Sequence, residues 1–334
     1  MLPGDDVLSD RDAIVADLAR CDVVAGARRA DLESLAKFLA PFAAPAGTVL
    51  LRRGDVAGHF LLMASGRARV TSGEEAAQKV AVVAEGSILG EMALLRGTRR
   101  SATVTAMTET RGLKGGRAAF TRLLAIPGVL GKVVATARQR LAADIVPVPV
   151  TLRDGTAAGL RPVYPGDQRE LMRGELFSAQ TRYRRFLGRE QVTPALARYL
   201  TEVDYVDHFA WVALGSDDVW AGGATYVRSA SDRALADISF LITDEFQGRG
   251  LGTLLMGAVA IAARRNGISR FSADVIAENA PMRAILHRAG IEWDTVQAGV
   301  MHGCVAVPDP GKFGIMPGTA AALAAVVEEM KIRL

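Results

Sequence analysis

Cysteine is nearly absent. Cys21 and Cys304 are the only two in 334 residues, too few and too far apart for a disulfide framework or a zinc site, so a reducing compartment is the expectation. Long apolar runs are missing too: no stretch reaches the roughly 18 consecutive apolar residues of a membrane-spanning helix. Met1 to Asp12 is acidic and lacks the basic and apolar segments of a secretory leader. We therefore expect a cytoplasmic protein with no membrane partner. Nor is there a strong charge of either sign. The 40 Lys plus Arg against 36 Asp plus Glu leave +4, an excess too diffuse to indicate nucleic acid. What the chain does have is 50% hydrophobic residues, ample for two packed cores, and a length that suggests about two domains.

One stretch organises the rest. Asp237-Ile238-Ser239-Phe240-Leu241-Ile242 is strand-prone, Thr243-Asp244-Glu245-Phe246 is a polar turn, and Gln247-Gly248-Arg249-Gly250-Leu251-Gly252-Thr253 opens an apolar helix running from Leu254 through Ala263. The three glycines let backbone N–H groups approach an anion, and the helix N-terminus adds unpaired donors and a favourable dipole. A dinucleotide fingerprint needs a wider gap before its third glycine, and a nucleotide P-loop needs a lysine that is not here. A glycine-rich turn without a ligand is the competing reading, opposed by the backbone entropy that three glycines cost. The arrangement Gln-x-x-Gly-x-Gly, with Gln247, Gly250 and Gly252 at the matched positions, resembles the pyrophosphate-binding turn of the GNAT N-acetyltransferases. That likeness implies an acetyl-CoA site formed by Phe240, Leu241, Ile242, Gln247, Gly248, Arg249, Gly250, Leu251, Gly252 and Thr253.

Glu278 to Ile291 extends the resemblance, with Asn279 where the family hydrogen-bonds the coenzyme A arm and Gly290 ending a helix; Arg288 joins this acetyl-CoA set. The tyrosine that many members use to protonate the departing thiolate falls at Leu286, leaving that role to water, and His287 beside it should point elsewhere. Acetyl transfer to an amine needs a neutral nucleophile, whereas a lysine ammonium has a reference pKa of about 10.4. Asp237, at the head of the central strand where related enzymes place a glutamate, is the candidate base, acting through water because it is one methylene shorter. A solvated strand-edge carboxylate is the plain alternative. Backbone N–H groups around Phe240 to Ile242 would hold the oxyanion.

Upstream, a short amphipathic helix over Arg28 to Leu39 precedes closely spaced strand candidates: Thr48 to Arg52, His59 to Ala64, Arg67 to Thr71, Gln78 to Val83 and Ala102 to Ala106. Such spacing predicts an antiparallel barrel or jelly roll. Within it, Gly90-Glu91-Met92-Ala93-Leu94-Leu95, followed by Arg100-Ser101-Ala102-Thr103, resembles the phosphate-binding cassette of cyclic-nucleotide-binding domains. The likeness implies a cAMP site of Gly90, Glu91, Met92, Ala93, Arg100 and Ser101. Glu91 would serve the ribose hydroxyl and Arg100 the phosphate, and Arg99 stands where the family commonly has proline. Helices are expected over Phe120 to Ile126 and Val129 to Ala143, and the resemblance makes one of Arg138 and Arg140 on the second a candidate to stack on the base, set against a solvated helix face.

Ile145 to Val150, with Pro147 and Pro149, reads as a stiff linker. A hairpin over Val150 to Val163, a Pro165-Gly166-Asp167 turn, a helical region from Arg169 to Phe186 beside the acceptor groove, and strands at Phe209 to Leu214, Trp220 to Val227 and Phe271 to Val275 complete the reading. The order of the two halves resembles the actinobacterial cAMP-regulated protein lysine acetyltransferases. It implies an α+β fold: an N-terminal cyclic-nucleotide-binding β-jelly-roll with flanking helices over 1–144, a linker at 145–150, a mixed α/β GNAT domain over 151–310, and a tail at 311–334 able to act as an autoinhibitory lid. It further implies acetyl-CoA as cosubstrate, cAMP as allosteric effector, no metal, and as partner a protein with an acceptor lysine, such as an acyl- or acetyl-CoA synthetase. Two departures stand out. Aspartate replaces glutamate at 237, and Leu171 to Glu175 lacks the histidine with which the family blocks its groove. A non-catalytic switch sensing cAMP and acetyl-CoA, and transfer to a small amine, are the other readings.

Overall fold

The computed structural model describes residues 5–73, 78–186 and 192–332. The chain divides into two compact units, and the division falls between Ala137 and Arg138.

The first unit contains α1 (Asp5–Ala19), α2 (Arg29–Ala36), β1 (Leu39–Ala44), β2 (Val49–Leu51), β3 (His59–Ser65), β4 (Arg67–Ser72), β5 (Lys79–Ala84), β6 (Ile88–Leu89), α3 (Glu91–Arg96), β7 (Ala102–Ala106), β8 (Thr110–Gly116), α4 (Arg117–Leu124) and the start of α5 (Val129–Asp144). Two antiparallel four-stranded sheets, ordered β1-β8-β3-β6 and β2-β7-β4-β5, make the expected jelly roll. The period-two alternation of β3 places its side chains in two cores. Phe60 and Leu62 pack with Leu18, Leu35, Leu123 and Val133 under the helices, while Leu61 and Met63 pack with Leu51, Leu89 and Val104 between the sheets.

The second unit contains β9 (Val148–Thr151), β10 (Ala157–Pro162), α6 (Gln168–Leu171), α7 (Ala179–Phe186), α8 (Pro194–Thr201), β11 (His208–Leu214), β12 (Trp220–Arg228), β13 (Leu235–Ile242), α9 (Leu251–Arg265), β14 (Arg270–Ile276), α10 (Ala280–Ala289), β15 (Glu292–Gln297), β16 (Val300–Ala306) and α11 (Pro317–Met330). They surround an eight-stranded sheet ordered β15-β16-β14-β13-β12-β11-β10-β9. Only the β13–β14 pair is parallel, because α9 supplies the crossover that a parallel connection requires. Twelve α9 residues from Leu251 to Ala263 are buried, so this helix is the core of the unit.

Three expectations are corrected. The proline stretch is not simply a linker: Val148 to Thr151 is β9, the edge strand, where a missing proline N–H breaks no ladder. The helical region over 169–186 is broken into α6, a short 3₁₀ turn at Gly174–Leu176, and α7. The described part of the tail, expected as a lid over the acceptor groove, does not line the cleft described below. α11 buries Leu323, Val327 and Met330 and packs against α9 and β9. Its approach is aided by Gly257 in α9, where a Cβ would stand 2.6 Å from Ile315 Cγ1. Among the described residues no single helix is long and apolar enough to cross a membrane; α4 and α5 reach that composition only as a pair bent by 111°.

Candidate functional site

The second unit opens where β13 loses a partner. β13 pairs with β12 from Ala236 to Ile242, but with β14 only at Leu235, Ala236 and Asp237. β14 stays paired with β16 as far as Ile276. Beyond Asp237 the two parallel strands therefore part, and the β13 edge from Ile238 to Ile242 carries peptide groups that need other partners. A cleft of about 490 Å³ opens there, lined by Ile238 to Ile242, Gln247, Gly248, Gly250 to Thr253, Asp274, Asn279, Ile285 and Arg288. All the acetyl-CoA candidates line it except Arg249. That guanidinium turns aside, 5.3 Å from the Phe246 ring centroid and 3.9 Å from Asp154, leaving only its backbone for the cradle.

The glycines act in different ways. Gly248 and Gly250 have φ of +77° and +92°, in the left-handed region that favours glycine, and Gly250 is the N-cap of α9. Gly252 instead makes room for α10: a Cβ there would stand 2.8 Å from Ile285 Cδ1. Gln247 braces the cradle against α7. Its Nε2 donates to Thr181 Oγ1 at 2.8 Å and to the Ile242 carbonyl at 3.2 Å, while Asp244 accepts from the Ser178 N–H at 2.8 Å. Asn279 caps α10 by accepting from the Met282 N–H at 3.3 Å. Arg153 had no signal in the sequence. From the β9–β10 turn its N–H donates to the Arg249 carbonyl at 3.1 Å and its Nη2 to the Gly248 carbonyl at 3.0 Å, so it clamps the cradle and lines the cleft. Leu286 is buried, and His287 is exposed and outside the cleft wall.

Asp237 stands at the last paired register, where the strands separate, rather than in the cleft wall. The residue is exposed on the sheet face, with Ser272 and Asp274 of β14 beside its carboxyl. Desolvation and the nearby charge of Asp274 lift its pKa to about 6, against opposing effects of Arg185, His302 and a hydrogen bond with Ser272. A carboxylate poised near neutrality suits a general base, and a free strand edge beside it suits charge on a carbonyl oxygen. The segment after β10 starts from a buried bidentate pair. Arg161 donates to Asp167 at 2.6 and 2.8 Å, and Asp167 also accepts from the Tyr164 N–H at 3.0 Å, which fixes the turn before α6.

In the first unit, Glu91 and Arg100 are buried, 1% and 5% exposed, at the two ends of the cassette. The Arg100 guanidinium donates to the Gly90 carbonyl at 2.7 Å and to the His59 carbonyl. Desolvation lowers its pKa, and the charges of Glu91 and Asp55 oppose that shift. Gly90 has φ of +83°, and a Cβ there would collide with the Arg100 guanidinium, so glycine leaves the arginine its place. Ala93 belongs to the core, Met92 is half-buried, and Ser101 is exposed. Arg138 falls in the second unit, donating to the carbonyls of Met330 at 3.1 Å and Asp204 at 2.8 Å. Stacking on a base would require it to leave both.

Residues 42–126 match the cyclic nucleotide-binding domain family, and residues 158–292 match the acetyltransferase (GNAT) domain family. The chain is 42% identical over 296 residues to Acetyltransferase Pat of Mycolicibacterium smegmatis, covering 88% of this chain and 89% of that protein. It is 32% identical over 137 residues to Acetyltransferase PA5475 of Pseudomonas aeruginosa, covering 40% of this chain and 74% of that one. The solved structure of a cAMP-binding acyltransferase from Mycobacterium smegmatis aligns over 96% of this chain and 97% of its own, with 38% identity and a TM-score of 0.50. With both domains present in that order and the relationship spanning nearly all of both chains, the protein belongs to the Pat acetyltransferases, in which a cyclic nucleotide-binding domain precedes a GNAT domain.

Proposed function

We propose that the protein moves the acetyl group of acetyl-CoA onto a lysine of a protein substrate, and that cAMP held by the first unit sets the rate. The observation that carries the transferase reading is the parting of β13 and β14 beyond Asp237, with the glycine cradle at one end of the opening and a carboxyl of raised pKa at the other. The residues fit the cosubstrate. Gly248 and Gly250 leave the backbone bare for a pyrophosphate, Arg153 and Arg288 add positive charge to the wall, and the β13 edge offers partners for amides. When bound, acetyl-CoA supplies the activated acyl group.

Asp237 accepts a proton from the incoming ammonium through water, which frees the amine lone pair. The β13 N–H groups hold the oxygen on which charge develops. With Leu286 buried where an acid would stand, water protonates the departing thiolate. In the first unit Glu91 receives the ribose hydroxyl, and Arg100 turns from the carbonyls of Gly90 and His59 to the cyclic phosphate. An acyl- or acetyl-CoA synthetase lysine is the acceptor class proposed, and the resemblance supports it.

The test is acetyl-lysine mass spectrometry on a lysate incubated with the chain and acetyl-CoA, with and without cAMP. New acetyl-lysine on a few proteins, at levels that change with cAMP, supports the proposal. Consumption of acetyl-CoA without acetyl-lysine would point to a small amine, and no consumption at all to a non-catalytic switch.

A further inference from the structure

The sheet register assembles a polar surface beside Asp237 that no local sequence pattern announces. Asp237 is paired with Ser272, Ser272 with Cys304, and Asp274 with His302. Residues in register share a face, and so do residues two apart on a strand, which puts all of these on one side of the sheet. His302 Nδ1 and Asp274 Oδ1 are 2.6 Å apart, and their side chains are 45% and 56% exposed. Asp274 also lines the cleft. From α7, Arg184 and Arg185 face the same opening, and from β15 the Asp294 carboxylate lies with His302 and Cys304, their polar atoms all within 4.8 Å.

We infer that Asp274 and His302 form the acceptor subsite: Asp274 receives the lysine ammonium beside Asp237, and His302 takes the proton onward to solvent. This rests on lysine being the acceptor. An isolated exposed contact between two polar side chains contributes little to stability, so the consequence of this one lies in its position. Two carboxylates on one rim, Asp237 and Asp274, suit a cation, and the open face admits a side chain carried by a protein.

The steps balance. The ammonium gives its proton, through water, to the Asp237 carboxylate, leaving a neutral amine and a carboxylic acid. The carboxylic acid then passes that proton through water to the imidazole of His302, which restores the Asp237 carboxylate and leaves an imidazolium beside Asp274. The imidazolium releases the proton to bulk water. Asp274 is the positioning residue for both partners, since its carboxylate attracts the ammonium and orients the ring.

The experiment compares the full chain with Asp274→Asn, at an exposed position, and His302→Gln, at a half-buried one, measuring acetyl transfer to a lysine peptide from pH 5 to 9. Asp274→Asn should raise the peptide KM about ten-fold, as loss of one charged contact does. It should also move the acid limb of kcat/KM to lower pH, because Asp237 loses a negative neighbour. His302→Gln should move that limb to higher pH and lower kcat. The acetyl-CoA KM should stay constant in both, and Asp274→Glu should restore the peptide KM. If both variants keep the wild-type limb and peptide KM, this inference alone is overturned. If the wild-type chain itself acetylates no lysine peptide, the acceptor class and this inference fall together.

Discussion

At the scale of single residues, Asp237 ties activity and stability together with opposite signs. With its pKa raised to about 6, kcat/KM for acetyl transfer should fall with decreasing pH below that value. Asp237→Asn should abolish the limb and lower kcat by roughly 10²- to 10⁴-fold. Rates of both proteins between pH 5 and 8 check this, and a limb that persists in the variant would assign it to another group. Stability runs the other way. The folded chain holds this proton more tightly than the unfolded chain, whose value is near 3.8, so charging the carboxyl costs stability progressively from about pH 4 to 6 and fully above. Solvent screens a carboxyl on an exposed residue, so melting curves should show Asp237→Asn only slightly more stable than wild type at pH 8 and equal to it at pH 3.

The strand, glycine turn and helix around Asp237 were legible in the sequence because they are contiguous. Arg153, Asp274 and His302 were not. Arg153 reaches the cradle from a hairpin turn some hundred residues upstream, and Asp274 meets His302 only through the β14–β16 register.

At the scale of elements, three of the strands that the sequence did not announce have readable causes. β1 contains Pro41 and β9 contains Pro149, and both lie at sheet edges, where a residue without an N–H is tolerated. β8 has glycine at 112, 115 and 116. A Cβ on Gly112 would collide with the Leu62 carbonyl and one on Gly115 would stand 2.5 Å from the Phe60 ring, so close packing selected residues that read as a loop. The tail was expected only as a lid, and the helix it forms and the partner it packs against were not legible. Leu323, Val327 and Met330 are buried at the α9 side of the unit, each worth about 1.5–3 kcal/mol. Ending the chain at Met316 should therefore lower the melting temperature substantially and expose apolar surface to a dye. A truncated protein that melts like wild type and transfers acetyl without cAMP would instead make α11 a lid.

At the scale of the whole molecule, the succession of the two domains was the most legible property, since each carries its own motif. The junction was less so. It falls within α5, whose early residues Val129 and Val133 belong to the first core, whereas Arg138 is bound to Asp204 and Met330 in the second unit. Coupling of the usual size, about 1–3 kcal/mol, changes a rate some 5- to 150-fold. Arg138→Ala should leave cAMP affinity and acetyl-CoA KM unchanged while shrinking the ratio of rates with and without cAMP. Calorimetry of cAMP binding beside the rate assay separates the outcomes, and a large loss of cAMP affinity would return Arg138 to the base.

The separation of β13 from β14 has a consequence for folding as well as for chemistry. A sheet with an unfilled slot between two of its central strands is unfinished, and a flexible chain of amides of the right length can serve as the missing strand. Acetyl-CoA would then be a structural component of the sheet for as long as it is bound. Saturation at 100 times its Kd should add about 2.7 kcal/mol to the stability of the second unit. Hydrogen exchange should slow at Ile238 to Ile242, where β14 has already turned away.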